Sequence, residues 1–167
     1  FTRVNGDGVV EIIVPSAMSV GVGPCHDDDE CLLYRHLGAY QGIDDVEDSQ
    51  YLVGQPDPEP GTTYIGVFVK IKNTSEDEAH TLPTSFELVD TKDNVFENIP
   101  SESIYALKPG MEVGEEDDVP AIDSAAQVGP IQGSMLLFKM NDEAMENRRV
   151  QLVINGEPGR RSEVIAL

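Results

Sequence analysis

The sequence predicts an all-β sandwich, and three observations support that fold class. Residues 63–73 form an apolar segment that is rich in β-branched and aromatic side chains, the composition of a strand. Further short apolar segments follow at 85–90, 94–96, 133–138 and 150–154, with turn residues between them. No stretch shows the spacing of an amphipathic helix. This order is typical of two packed antiparallel sheets.

The first predicted strand segment is 8–22, which Pro15 divides into two apolar halves. A proline at this position is compatible with an edge strand or a kink. Segment 63–73 is the best strand, because Lys70 and Lys72 alternate with Val69 and Ile71 as in a half-buried strand. We expect ten side chains to face inward across two sheets: Tyr64, Val67, Val69, Ile71, Phe86, Leu88, Leu136, Phe138, Leu152 and Ile154.

The connections between these strands carry turn signals. Residues 86–89 and 94–96 predict a hairpin over the polar residues 90–93. Pro109-Gly110 predicts a type II turn, because glycine tolerates a positive φ. Residues 141–149 suggest a short helical turn or a polar link, and 163–167 a final edge strand. Seven to nine short strands in this arrangement favour an immunoglobulin-like sandwich with long acidic loops.

We expect one domain in two parts. Residues 63–167 would form the sandwich core, and residues 1–62 would add a strand, a cysteine loop and an acidic, proline-rich loop packed on the same domain. The acidic, proline-rich loop is predicted at 38–61, where prolines and acids argue against a helix.

The net charge of −20, from 31 acidic and 11 basic residues, narrows the possible partners. Such a chain cannot neutralise a row of phosphates, which argues against nucleic acid, and an anionic membrane surface would repel it. The charge favours cations or basic proteins as partners, and a solvated acidic surface is the alternative. No apolar stretch reaches the ~20 residues that a membrane-spanning helix needs.

Cys25 and Cys31 stand too far apart for a Cys-x-x-Cys redox motif, and no second pair completes a zinc site. A local disulfide between them is the better interpretation, and two buried free thiols are the alternative. A disulfide would place the protein outside the reducing cytosol. The chain begins at Phe1, which fits a removed leader or lipid-anchored segment but also a start after a stretch that is not shown.

The cysteine loop encloses Asp27, Asp28, Asp29 and Glu30, whose hard oxygen ligands suit calcium. No EF-hand pattern is present, and adjacent acids on an extended chain point to opposite faces, so an exposed acidic loop is the alternative. Tyr40 and Tyr51 flank Asp44 and Asp45 and are candidates for a protein interface, with ordinary packing as the alternative. No cofactor is expected apart from calcium, and no nucleophile motif predicts an enzyme.

Several of these segments, in this order, carry a family resemblance. Residues 64–75 read Tyr-Ile-Gly-Val-Phe-Val-Lys-Ile-Lys-Asn-Thr-Ser, and 86–90, 107–110 and 133–138 follow as Phe-Glu-Leu-Val-Asp, Leu-Lys-Pro-Gly and a glycine-led strand ending in Phe. This order resembles a bacterial extracytoplasmic family with an immunoglobulin-like (telokin-like) fold, long known only as a domain of unknown function. The resemblance covers roughly residues 63–154, while 111–130 is longer and more acidic than the family's link.

The resemblance implies a secreted or lipid-anchored protein and offers no catalytic residues. We therefore expect a non-enzymatic extracytoplasmic interaction module that binds another protein, which could itself be membrane-associated. The alternative is a cation- or small-ligand-binding protein that uses its acidic loops.

Overall fold

The computed structural model describes residues 2–4, 10–12, 32–36, 41–43, 46–73, 76–147, 149–155 and 162–167. These residues form mostly antiparallel β-strands with few and short helices, which confirms the all-β prediction. The strands are β1 (Thr2–Val4), β2 (Val10–Ile12), β3 (Leu32–His36), β4 (Gln41–Ile43), β5 (Thr62–Asn73), β6 (His80–Thr81), β7 (Ser85–Val89), β8 (Val95–Glu97), β9 (Glu112–Val113), β10 (Asp118–Val119), β11 (Ser134–Asn141), β12 (Gln151–Asn155) and β13 (Glu163–Ala166). The helices are a 3-10 helix (Val46–Tyr51), α1 (Ala125–Val128) and α2 (Asp142–Glu146).

The first sheet is built around β5, the longest strand. β11 pairs with residues 62–69 of β5 and β10 with residues 71–72. β4 pairs with residues 64–66 and β3 with residues 69–73, so both must use the opposite edge of β5. Strands from the first 62 residues therefore belong to the same sheet as the strongest predicted strand.

The second sheet has the order β13-β12-β7-β8, with every pair antiparallel. β7 and β8 form the predicted hairpin, which Asp90 closes by donating its N–H to the carbonyl of Asn94 at 3.1 Å. β1 pairs with β2 and β6 pairs with β9 in two small ladders. The predicted turn at Pro109-Gly110 is confirmed, because Gly110 has φ of 74° and the N–H of Met111 donates to the carbonyl of Lys108.

The main core lies between the two sheets and joins the inward side chains of β5 and β11 to those of β7, β12 and β13. All ten side chains predicted to face inward are buried. Nine of them belong to this core, and Tyr64 belongs to a second cluster on the other face of the first sheet. The prediction of a shared apolar core is therefore confirmed.

The first sheet differs from the prediction because β5 is buried on both faces over residues 64–69. Its outer face is covered by three segments, residues 46–55, 99–107 and 121–131, which we call the covering layer. Tyr64, Phe68, Met135 and Leu137 pack under this layer in the second cluster. The alternation of buried and exposed side chains returns only beyond the covering layer. There Lys70 is partly exposed and Lys72 is fully exposed.

The predicted structureless loop at 38–61 is partly wrong, because it contains β4 and the 3-10 helix. Within the described part of this segment, backbone pairing holds β4 on β5, and the burial of Tyr51 fixes the end of the 3-10 helix despite the nearby acids and prolines. The helical turn predicted at 141–149 is confirmed as α2, where the Asn141 side chain accepts a hydrogen bond from the Ala144 N–H at 2.7 Å.

Candidate functional site: an acidic cleft beside β10

Most of the site residues predicted from sequence lie outside the described residues. This holds for Cys25 and Cys31, for the acidic loop Asp27, Asp28, Asp29 and Glu30, and for Tyr40, Asp44 and Asp45. The disulfide, the calcium site and this part of the interface therefore remain predictions. Within the described ranges, no group of three or more His, Cys, Asp or Glu side chains is placed to hold a metal ion.

Tyr51 is the one predicted interface residue that the structure describes, and its side chain is 1% exposed. Its ring meets Phe68 edge-on at a centroid distance of 5.5 Å and packs against Tyr105 at 4.9 Å. Aromatic ring pairs of this kind stabilise a fold by more than the burial of their surface area alone. The burial of Tyr51 favours ordinary packing, the alternative given for this residue, because its ring packs between the covering layer and β5.

The cleft begins at the end of β5, where Asn73 is completely buried. Its Nδ2 group donates to the carbonyls of Glu78, Val113 and Gly114 at 2.8, 3.2 and 2.9 Å. Its backbone N–H also donates to the carbonyl of Asp117 at 2.9 Å. The side chain and the backbone N–H of Asn73 together hold the turn between β9 and β10, which carries the acidic run 115–118.

That turn forms the wall of a cleft of about 300 Å³. This volume lies at the lower end of the range for ligand sites and suits one or two side chains of a partner. Its lining combines carboxylates with aliphatic groups: Met111, Glu112, Val113, Glu116, Asp117, Asp118, Val119, Ala121 and Ile122.

The charge in the cleft comes from exposed carboxylates. Glu112, Glu116 and Asp117 are exposed, and Asp118 lies 3.7 Å from the Lys72 ammonium in a half-exposed ion pair. The Asp117 carboxylate folds over Gly114, where a Cβ atom would come within 2.5 Å of its Oδ2. Several carboxylates along one cleft attract a basic group of a partner.

The apolar part of the cleft includes Ile122, whose side chain is 75% exposed. Covering this exposed aliphatic side chain would favour binding of a partner, because apolar surface would be removed from water. The lining side chains are carboxylates, aliphatics and a thioether, so the cleft can bind a group that is both basic and apolar.

Sequence reasoning did not include the acidic run 115–118 among the site residues, and it missed Asn73 and Ile122. Asn73 was visible as the polar residue that ends the strongest strand, a signal for a chain reversal. Nothing in the local sequence marks Ile122, because its position beside β9 depends on the path that the chain takes after β10.

Asp90 is a second carboxylate with a defined environment, at the β7–β8 turn. Burial alone would raise its pKa, but hydrogen bonds from the Asn94 side chain and N–H, the Asn147 side chain and the Lys92 N–H lower the pKa to about 2. These donors tie the hairpin to the end of α2. The role of Asp90 is therefore to hold two connections together.

We expect acid to weaken the fold through Asp90. Its pKa is lower in the folded protein than its ordinary value of 3.8, so its stabilisation is present above that value and is lost as pH falls toward about 2. Asp90→Asn should be less stable than the wild type at pH 6, and urea unfolding should show the difference shrinking between pH 4 and 2. Asp93→Asn, an exposed acid in the same turn, should show no such convergence.

Comparison with protein-family models, with curated proteins and with solved structures found no match to this chain. Over the part of the chain that the structure describes, no helix is both long enough and apolar enough to cross a membrane.

Proposed function

We propose that this protein is a non-enzymatic interaction module that binds a partner protein by seating a basic segment of that partner in the acidic cleft. The observation that carries the proposal is the lining of the cleft, which combines four carboxylates with the exposed side chain of Ile122. A lysine or arginine next to an apolar side chain would satisfy both kinds of surface. The net charge of −20 would speed the encounter with such a partner.

The proposal includes an immunoglobulin-like fold and an extracytoplasmic location. Two antiparallel sheets packed over one core support the first, since that is the layer arrangement of such sandwiches. The spacing of Cys25 and Cys31 supports the second, since a local disulfide persists outside the reducing cytosol. On this proposal, the module is secreted or anchored at the cell surface.

Peptide binding tests the cleft directly. The probe is a fluorescent peptide of alternating lysine and leucine, measured by anisotropy at fixed ionic strength. Wild-type protein should bind this peptide, and a version with acetylated lysines should bind far more weakly. Glu116→Gln/Asp117→Asn should weaken binding roughly two- to thirty-fold, the loss of two exposed charge pairs.

The matched control is Asp93→Asn/Glu146→Gln, which removes the same charge from exposed acids that lie outside the cleft and its acidic turn. This control should retain most of the binding. An equal loss in both double variants would show that only net charge attracts the peptide and would reject the cleft. Equal binding of the acetylated peptide would reject the recognition of basic groups.

A further inference from the structure

Asp118 differs from the other carboxylates of the cleft, because a basic side chain of the same chain already pairs with it. The Lys72 ammonium lies 3.7 Å from Asp118 Oδ2, and the two side chains are 51% and 49% exposed. The remaining ion pairs between described residues involve no residue of the cleft lining. Over the described part of the chain, Asp118 is therefore the one lining carboxylate whose charge is neutralised from within.

The position of Lys72 follows from the register of β10 on β5. Asp118 lies directly opposite Lys72, and Val119 lies directly opposite Ile71. Val119 and Ile71 are buried in the main core. Because neighbouring side chains of a strand point to opposite faces, Lys72 and Asp118 both project to the solvent side of this pair. The backbone ladder that places Asp118 at the cleft thus also places Lys72 beside it.

The ion pair between Lys72 and Asp118 is weak enough to exchange. Exposed pairs are screened by water, and they restrict two side chains that would otherwise be mobile. A lysine or arginine of a partner would form a pair of the same kind with Asp118, so two cations compete for one carboxylate. The attraction that the partner gains at Asp118 is therefore offset by the ion pair that it breaks.

We propose that Lys72 is a built-in competitor of the partner: it occupies Asp118 in the free protein, and a basic group of the partner must displace it there. This inference rests on the proposed function, since it concerns the same cleft and the same kind of partner. It divides the lining acids into two kinds. Glu112, Glu116 and Asp117 attract the partner from the start, whereas Asp118 contributes only after Lys72 has moved away.

Lys72→Gln tests the competitor, with binding of the lysine–leucine peptide measured by anisotropy at fixed ionic strength. This variant should bind the peptide about two- to fivefold more tightly than the wild type, because no exposed ion pair has to be broken. Lys72→Arg keeps the cation and should bind as the wild type does. The Lys72 side chain is half-exposed, so the melting temperature should change little in either variant.

The matched control is Lys92→Gln, which removes the same charge. The Lys92 side chain is 57% exposed, and its ion pair with Glu143 at 3.3 Å lies outside the cleft lining. This control should change binding by less than about 1.5-fold, because salt screens exposed charges that do not touch the peptide. Equal tightening in Lys72→Gln and Lys92→Gln would show that net charge alone acts and would overturn the proposal.

A double variant identifies the carboxylate for which the cations compete. Lys72→Gln/Asp118→Asn has the net charge of the wild type and should lose the gain of Lys72→Gln, because the released carboxylate is gone. A gain that persists in this double variant, or weaker binding by Lys72→Gln, would contradict the competitor. Peptide binding that Lys72→Gln leaves unchanged would reject the competitor but keep the proposed function. Absence of binding by both the wild type and Lys72→Gln would reject both.

Discussion

Replacing Phe138 with alanine should lower the free energy of unfolding by roughly 3–5 kcal/mol, the usual cost of removing a fully buried aromatic ring. Phe138 has no exposed surface and lies opposite Ile65 in the β5–β11 pair. Its ring belongs to the core that joins the two sheets, so the variant leaves a cavity where the sheets meet. Urea unfolding monitored by circular dichroism measures the change.

The control for this prediction is Val95→Ala, because Val95 is 54% exposed at the edge of the second sheet. Its free energy of unfolding should change by about 0.5 kcal/mol or less. The slope of the unfolding transition should stay constant in both variants if the denatured state is unchanged. A loss of less than about 1 kcal/mol for Phe138→Ala would contradict the shared core.

Replacing Asn73 with alanine should cost about 1–3 kcal/mol, because the change leaves acceptors in a buried region without their donor. The Nδ2 group of Asn73 donates to three carbonyls. Because Asn73 is fully buried, water has no direct access to replace these hydrogen bonds. The acidic turn should also loosen, so the lysine–leucine peptide should bind more weakly than to the wild type. Thermal melting and peptide anisotropy measure the two effects.

Asn73→Asp separates hydrogen bonding from side-chain size. A carboxylate of nearly the same shape cannot donate to the three carbonyls, and its charge would be buried, so this variant should be less stable than Asn73→Ala. Gln132→Ala removes an exposed amide and should have little effect. If Asn73→Asp were as stable as the wild type, the role assigned to this amide would be wrong.

Local patterns predicted the strands and turns well. The predicted segments 63–73, 85–90 and 133–138 correspond to β5, β7 and β11, because each carries apolar side chains that need burial in a sheet. The turn at Gly110 was also predictable, because a positive φ strongly favours glycine. These features depend on neighbouring residues only.

The candidate site was predictable only in part. The acidic run 115–118 is plain in the sequence, but the same run could be a solvated loop or the wall of a cleft. The choice depends on Asn73, which lies more than forty residues before the run and holds its turn in place. No local pattern encodes that contact.

By itself the sequence determined the all-β class, the inward side chains and the strong negative charge, because these follow from composition and from period-two patterns along short segments. Only the tertiary structure decided that Tyr51 is buried, that β5 is covered on both faces and that Ile122 joins the carboxylates of the cleft. The physical reason is that burial of a loop residue depends on which distant segment packs over it. Hydrogen bonds and ring contacts between residues far apart in the chain determine which segment packs there.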